Sequence, residues 1–546
     1  MTPTPLPPTP AGGSSSPAAG APGTADASDS GAPAGPASLV DGTDDALRSA
    51  FGMLDTAQSS AHGDMDPETF RRAAHAVADL MADYLAGVER FPILPDVEPG
   101  DLRRRLPAAP PEQPEPLADI LSEYRHLVEP NITHWQHPAF FAYFASSGSA
   151  PGVLGEMLTA ALAANAMLWR TSPIATELEE ITIGWLRRGL GLPEAFDGFF
   201  TDTASTSSLI GLAGARQAVD GADASRDGLA GRPALRIYAS EEAHSSIEKA
   251  AMTLGIGRAG TRRIPIDGQY RMDVDALRAA IREDRAAGHV PAAVVATIGT
   301  TGPTSIDPVA AIADVAEREG LWLHVDAAYA GATALLPERR DPFAGWERAD
   351  SIVVNPHKWL FTPLDASLFL TRRPEVIRAA FSLVPEYLRT LDREREVHDY
   401  NEYTPQLGRR FRALKMWMLL RYFGLEGIRA RLREHIEMAG QLAAWVDAEP
   451  EAERLAPAPF STVCFRWRPA RYLGREDEPA VREELDRLNT AILEAVNREG
   501  LVFVSHTRLR GRLTLRVAIG SVRTEARHVA LAWERIREHA RRLDEA

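Results

Sequence analysis

Four short apolar runs recur between residues 235 and 356, and each ends in polar residues. They read LRIYAS (235–240), AAVVATIG (292–299), LWLHVDAA (321–328) and SIVVNP (351–356). Helical stretches lie between them, among them DVDALRAAIREDRAAG and DPVAAIADVAEREG. Strands that alternate with helices in this way imply a mostly parallel sheet covered on both faces. The predicted fold class is therefore α/β. In such sheets ligands bind at the carboxyl ends of the strands, so the polar residues that close each run are the first candidates for a site.

Four regions are expected around this pattern. Residues 1–60 are rich in Pro, Ala, Gly and Ser; they cannot bury enough surface to offset the entropy of ordering and are predicted to be a disordered tail. Residues 61–149 read as an N-terminal helical arm. Asp66 can cap its first helix, Pro67 fits the first turn, and Phe70, Ala74, Val77, Met81, Tyr84 and Val88 follow helical spacing. A second helix, PLADILSEYRHLVEP, ends at Pro130. Such an arm needs an apolar surface to cover, its own or that of a partner subunit. Residues 150–428 carry the alternating pattern. Residues 429–546 read as a smaller α+β domain, with strands at STVCFRW, LVFVSH and RLTLRVAIG. The charged segment YLRTLDREREVHDYNEYTPQ (387–406) has the character of a mobile lid.

Composition narrows the partners. The chain of 546 residues carries a formal net charge of −15, which argues against nucleic acid or an anionic membrane surface. No apolar run approaches the roughly 20 residues that span a bilayer, and MTPTPLPPTPAGG lacks the basic and apolar regions of a signal peptide. The one cysteine, Cys464, lies in a strand pattern and reads as a small buried residue rather than a catalytic thiol. A chain without intramolecular disulfides suits a reducing cytoplasm. The partner expected is a small molecule, and no metal is expected.

The strand ends then supply chemistry. Thr203, Ala204 and Ser205 come soon after DGFF and open a helix; a helix N-terminus of small hydroxyl residues suits a phosphate, although an ordinary cap has the same pattern. Asp326 closes an apolar strand and needs a cationic or N–H partner, either an arginine or a protonated ligand nitrogen. His244, Thr300 and Thr301 come after two further strands, and Asn355, His357 and Lys358 after a fourth. A lysine among apolar residues has its pKa lowered or its charge paired, and a lowered pKa makes a nucleophile. One cofactor needs all of these at one rim. Pyridoxal 5'-phosphate takes a lysine Schiff base at its aldehyde, a carboxylate at its ring nitrogen and N–H or hydroxyl donors at its phosphate.

The motifs NPHKW, HVDAAYAG, AHSSIEKA, ATIGTT, HWQHPAFFAYF, SPIATELE and LGRRFRALKMW lie within a stretch that runs from about residue 65 to the C-terminus. On these the chain resembles the group II pyridoxal-phosphate decarboxylases, closest to the aromatic-L-amino-acid decarboxylases. The resemblance implies a fold-type-I enzyme with a seven-stranded type of central sheet, an N-terminal helical arm, a smaller C-terminal domain and a homodimer with the site near the interface. It implies that Lys358 holds the cofactor as a Schiff base, Asp326 pairs with the ring nitrogen and His244 stacks on the ring. It places Thr301 and Ala328 along the ring, and Ala204, Ser205, Asn355 and His357 around the phosphate. Trp135, Tyr143, Phe144 and Met167 fall where the family shapes its substrate pocket. By its distance to LGRR, Tyr400 falls where the family has a protonating tyrosine.

The implied reaction is decarboxylation of an aromatic L-amino acid (tryptophan, phenylalanine, tyrosine or dopa type) through an external aldimine and a quinonoid, giving the amine and CO2. Tyr400 and His244 imply the amine rather than an aldehyde, because family members with phenylalanine at that loop position tend to form aldehydes. Trp359 after the lysine separates the chain from glutamate-type members. Ala145 stands where the mammalian type has proline, and Asn165 and Met167 replace isoleucine and phenylalanine, so the preferred side chain stays open. The alternatives are a decarboxylase of a non-aromatic amino acid, or another fold-type-I enzyme such as an aminotransferase.

Overall fold

Twelve strands lie along the chain in this computed structural model, which describes residues 41–219, 223–383 and 397–545. They are β1 (Phe140–Phe141), β2 (Asp197–Thr201), β3 (Leu235–Ser240), β4 (Thr261–Ile264), β5 (Val290–Thr297), β6 (Trp322–Asp326), β7 (Ser351–Val354), β8 (Ser367–Thr371), β9 (Ala452–Arg454), β10 (Thr462–Trp467), β11 (Phe503–Leu509) and β12 (Arg512–Ala518). Strands β2 to β8 form one seven-stranded sheet in the order β2-β8-β7-β6-β5-β3-β4. Every neighbouring pair is parallel except the two that involve β8. The four runs seen in the sequence are β3, β5, β6 and β7, which are consecutive neighbours in the sheet.

Burial on both faces explains the composition of these strands. All residues of β6, β7 and β8 are buried. One face is covered by the helices Ala204–Gln217 and Ser246–Thr253 through Ile210, Leu212, Ile247 and Ala250. The other packs against Val309–Glu319 and the long helix Ala413–Ala448 through Ile312, Val315, Met416 and Leu419. A parallel sheet between two helical layers leaves only its strand ends near solvent.

Two expected boundaries move. Residues 41–60, expected within a disordered tail, contain the helices Asp41–Phe51 and Thr56–Ser60. Leu47 and Phe51 are buried against Ala73 and Ala118 of the arm. They are the only large apolar side chains in DGTDDALRSAF, so the composition of this stretch conceals the pair that anchors it. The expected division at residues 428 and 429 falls inside the helix Ala413–Ala448, whose one non-helical residue is Gly424 (φ 64°). The remaining tail, residues 1–40, and the first half of the charged segment expected to be a lid, residues 387–396, lie outside the described residues.

The arm is joined to the second sheet. The second sheet runs β1-β11-β12-β10-β9, so a strand that precedes the large domain pairs in parallel with a strand near the C-terminus, Phe141 opposite Val504. Phe140, Phe141 and Ala142 are fully buried in a cluster with Val504, Leu515 and Val517. This pairing carries the aromatic segment HWQHPAFFAYF to the mouth of the main sheet's strand ends. Among the described residues, no helix is long and apolar enough to cross a membrane.

Candidate active site

A cavity of about 200 Å³ opens at the carboxyl ends of β2, β3, β5, β6 and β7. Each strand contributes residues at or just beyond its end. Thr203, Ala204 and Ser205 come after β2, His244 after β3, Thr297 and Thr301 from β5, Asp326 and Ala328 from β6, and Asn355, His357 and Lys358 after β7. Nine of the ten residues expected at the cofactor or in catalysis are thus brought together. Phe144 and Tyr329 close one wall.

The helix N-terminus is built to receive an anion. Thr203 takes the N-cap position with extended backbone (φ −137°, ψ 162°), yet no side chain caps the first turn of Ala204–Gln217. The N–H groups of that turn therefore lack the partner that a serine or threonine cap supplies, and they face the cavity with the positive end of the helix dipole. An ordinary cap does not account for the Thr203–Ser205 pattern.

Asn355 and His357 sit opposite. The Nδ1 of His357 accepts the Ala366 N–H at 3.0 Å, and burial pushes its pKa down to about 4. The neutral ring then carries its proton on Nε2, which lies 3.3 Å from the Asn355 amide. The atom at that distance is Asn355 Nδ2, and its buried Oδ1 has no partner among the described residues; turning the amide so that its oxygen accepts from Nε2–H pairs both groups and aims the NH2 at the cavity. His357 both lines the cavity and orients Asn355.

Asp326 is 6% exposed. It is the last residue of β6, in register with Thr297 of β5 and Val353 of β7. Its Oδ1 accepts the Ala328 N–H at 3.1 Å. Its charge acts on His244, His324 and Lys358, and of these the lysine is the cation in the cavity. Burial pushes the Lys358 amine below its ordinary pKa and Arg516 pushes the same way, while Asp326 opposes both. A lysine with a depressed pKa supplies more of the free amine that attacks a carbonyl. Nζ lies 5.2 Å from the centre of the Phe144 ring. His244 accepts the Ser246 N–H on Nδ1 at 3.2 Å, and burial lowers its pKa. Its neutral ring therefore presents Nε2–H.

These residues fit pyridoxal phosphate. An uncapped helix N-terminus, Ser205 and the Asn355 amide would hold the phosphate, Asp326 the ring nitrogen, and Lys358 the aldehyde. The buried Oγ1 of Thr297 also has no partner among the described residues and lies on the strand beside Asp326. Among the described residues, no group of three or more His, Cys, Asp or Glu side chains is arranged to hold a metal.

Four expected residues stand elsewhere. Tyr400 does not line the cavity. It is 2% exposed, and its hydroxyl is buried with no hydrogen-bond partner among the described residues. Its ring lies 4.4 Å from the Arg409 guanidinium and stacks on His398 at 5.7 Å. Arg409 in turn is ion-paired with the fully buried Glu179 at 2.7 Å. Burial, then the Glu179 charge, hold the Tyr400 hydroxyl well above its ordinary pKa. A side chain so enclosed does not line this cavity. Trp135, Tyr143 and Met167 also lie outside this cavity's lining. Trp135 stacks on Phe140 at 4.4 Å, with Tyr143 beside it at 6.0 Å.

Sequence reasoning missed Thr297 and Tyr329, and it placed Thr203 in the helix N-terminus that suits a phosphate without naming it among the site residues. Thr297 was findable, because it ends a strand in the same motif as Thr301. Tyr329 was not, because its role comes from distant contacts. It stacks on Phe144 at 3.8 Å and on Trp359 at 4.7 Å with the planes 3° apart.

A parallel-sheet rim that holds a strand-end aspartate, a buried lysine and an anion cradle defines a fold-type-I pyridoxal-phosphate enzyme. The family model described as the pyridoxal-dependent decarboxylase conserved domain matches residues 99–468. The chain is 39% identical to phenylacetaldehyde synthase of Arabidopsis thaliana over 87% of this chain and 96% of that protein. It is equally identical to tyrosine decarboxylase 4 of Petroselinum crispum, over 88% and 95%. The crystal structure of Oryza sativa TDC with PLP and tryptamine superposes with a TM-score of 0.84 at 36% identity, covering 88% of this chain and 99% of that one. The chain belongs to the group II pyridoxal-phosphate-dependent decarboxylases, of the aromatic-amino-acid type.

Proposed function

We propose that the protein decarboxylates an aromatic L-amino acid to its amine and CO2, with pyridoxal phosphate bound at Lys358. The observation that carries this reading is the facing pair Asp326 and Lys358 in a cavity walled by the stacked rings of Phe144 and Tyr329. Bound pyridoxal phosphate supplies an aldehyde for amines and a cationic ring that withdraws electrons from Cα. The chain does the rest. Lys358 offers a free amine that exchanges with the substrate's. Asp326 holds a proton on the ring nitrogen by charge. The first turn of Ala204–Gln217 anchors the anionic end. Phe144 and Tyr329 exclude water from the leaving carboxylate, which favours its departure as neutral CO2, and they offer flat apolar faces to an aromatic side chain. His244 holds a proton at Nε2, within the cavity where Cα must gain one.

The test is a panel of L-amino acids (Trp, Tyr, Phe, dopa, Leu, Glu) given to purified protein with pyridoxal phosphate, with CO2, amine and aldehyde measured separately. Amine and CO2 in equal amounts from an aromatic member support the reading. A keto acid, with stoichiometric conversion of the cofactor to its amine form, makes the enzyme an aminotransferase. Aldehyde as the main product makes it a synthase, as one relative is named.

The working unit in this reading is a cytoplasmic homodimer. Apolar surface left bare on one chain supports the dimer. Phe70 of the arm is 58% exposed, and Leu154, Met157, Leu158 and Leu162 line one exposed stripe of the helix Ala150–Leu162. Light scattering that shows a fully active monomer would overturn it.

A further inference from the structure

We infer that Ser505 and Arg516 of the small domain are positioning residues that hold the Tyr143–Phe144 turn against the site, and so set the wall the substrate side chain meets. This rests on the proposed function only in taking that wall as the substrate side.

Tyr143 has φ +52°, a left-handed conformation that a residue with a bulky side chain adopts only when its surroundings over-determine it. Both of its backbone groups are held from one place. Its N–H donates to Ser505 Oγ at 3.2 Å, and its carbonyl accepts from Arg516 Nη1. Ser505 and Arg516 are directly opposite each other on β11 and β12, and β1 pairs with β11 at Phe141 and Val504. The cross-strand pair therefore meets the chain just where it leaves β1.

Arg516 reaches further. It is 3% exposed, its Nε donates to the Gly302 carbonyl at 3.0 Å, and its guanidinium lies over the Phe144 ring at 4.4 Å. Phe144 also stacks on Tyr329. Its ring is thus held between a cation and a phenol, with the Lys358 amine near it. One arginine ties the aromatic segment, the loop that bears Thr301 and the small domain to a single wall. Arginine alone supplies this set of contacts, because a planar fork can donate at two angles while its face stacks on a ring.

Crystal structures of Arg516→Met, Arg516→Lys and Ser505→Ala holoenzymes read the geometry, and steady-state kinetics on L-tryptophan and L-tyrosine read the consequence. The expected result for Arg516→Met is a Tyr143 that leaves the left-handed region, a Phe144 ring displaced from Tyr329, and kcat/KM lower by about tenfold or more, mainly through KM. Arg516→Lys should restore less than half of the loss, and Ser505→Ala should show a smaller change of the same kind if Arg516→Met does not fold. In a Tyr143→Gly background, where positive φ is free of strain, replacing Arg516 should shift the turn and KM less than it does in the parent. An unmoved turn in Arg516→Met, or a displaced turn with unchanged KM, overturns the inference. Absence of all activity on aromatic substrates would sink the proposed function and leave the crystallographic readout to decide the clamp.

Discussion

Replacing Tyr400 with phenylalanine separates a structural tyrosine from a catalytic one. The hydroxyl removed is buried and has no partner among the described residues. An unpaired buried hydroxyl costs about 1–3 kcal/mol of desolvation, so its removal should be neutral or raise stability by about 1 kcal/mol. The ring remains, and with it the contact to the Arg409 guanidinium, so no cavity opens. A gain of this size in a chain this long raises the melting temperature by about 1–2 °C. Differential scanning fluorimetry reads that shift, and separate assays of amine and aldehyde read the product. The expected outcome is unchanged amine, no new aldehyde and kcat/KM within about twofold of the parent. A switch to aldehyde, or a loss of turnover beyond about tenfold, would refute the argument from burial. Tyr400→Ala is the control. It deletes the ring over Arg409 and should cost about 3–5 kcal/mol.

Three further outcomes rest on the same contacts. Asp326→Asn should keep the shape of the cavity but lose the charge that stabilises a cationic ring nitrogen, lowering kcat by about 10²–10³ with a smaller effect on cofactor retention, as measured by turnover and by dialysis. Glu179→Gln leaves the Arg409 charge buried and half-paired, which should destabilise by about 3–5 kcal/mol in a denaturant titration. His324, His357 and His435 are all held near a pKa of about 4 by burial. Unfolded, each takes up a proton near pH 6.5, so the unfolded chain binds more protons below that value, and stability falls as pH drops from about 6.5 toward 4. Each contributes at most about 3 kcal/mol, and melting temperatures flat across that range would contradict their neutral burial.

The sheet and most of the rim were legible because their signals are local. A strand, its terminal residue and the start of the next element lie within about ten residues, so LWLHVDAA shows both the burial of Asp326 and its place at a strand end. Tyr400 illustrates the limit. Its spacing to Leu407–Arg410 marks a motif position, but only packing shows that Arg409 and Phe199 enclose it. The substrate wall was half legible. Phe144 was flagged, while Tyr329 and Arg516, which fix it, lie far along the chain, at another strand end and in the second sheet. The helix Asp41–Phe51 was hidden by composition, because what docks it is two buried apolar side chains and the contacts of Asp44 with Arg125 and His126.

The central claim is that Lys358 carries the cofactor. The chain has only three lysines, Lys249, Lys358 and Lys415, which makes the measurement clean. Holoenzyme reduced with borohydride, digested and sequenced by mass spectrometry should carry a pyridoxyl phosphate on Lys358 alone, and Lys358→Ala should carry none. Label on Lys249, or on the buried Lys415 that pairs with Glu156, would contradict the account.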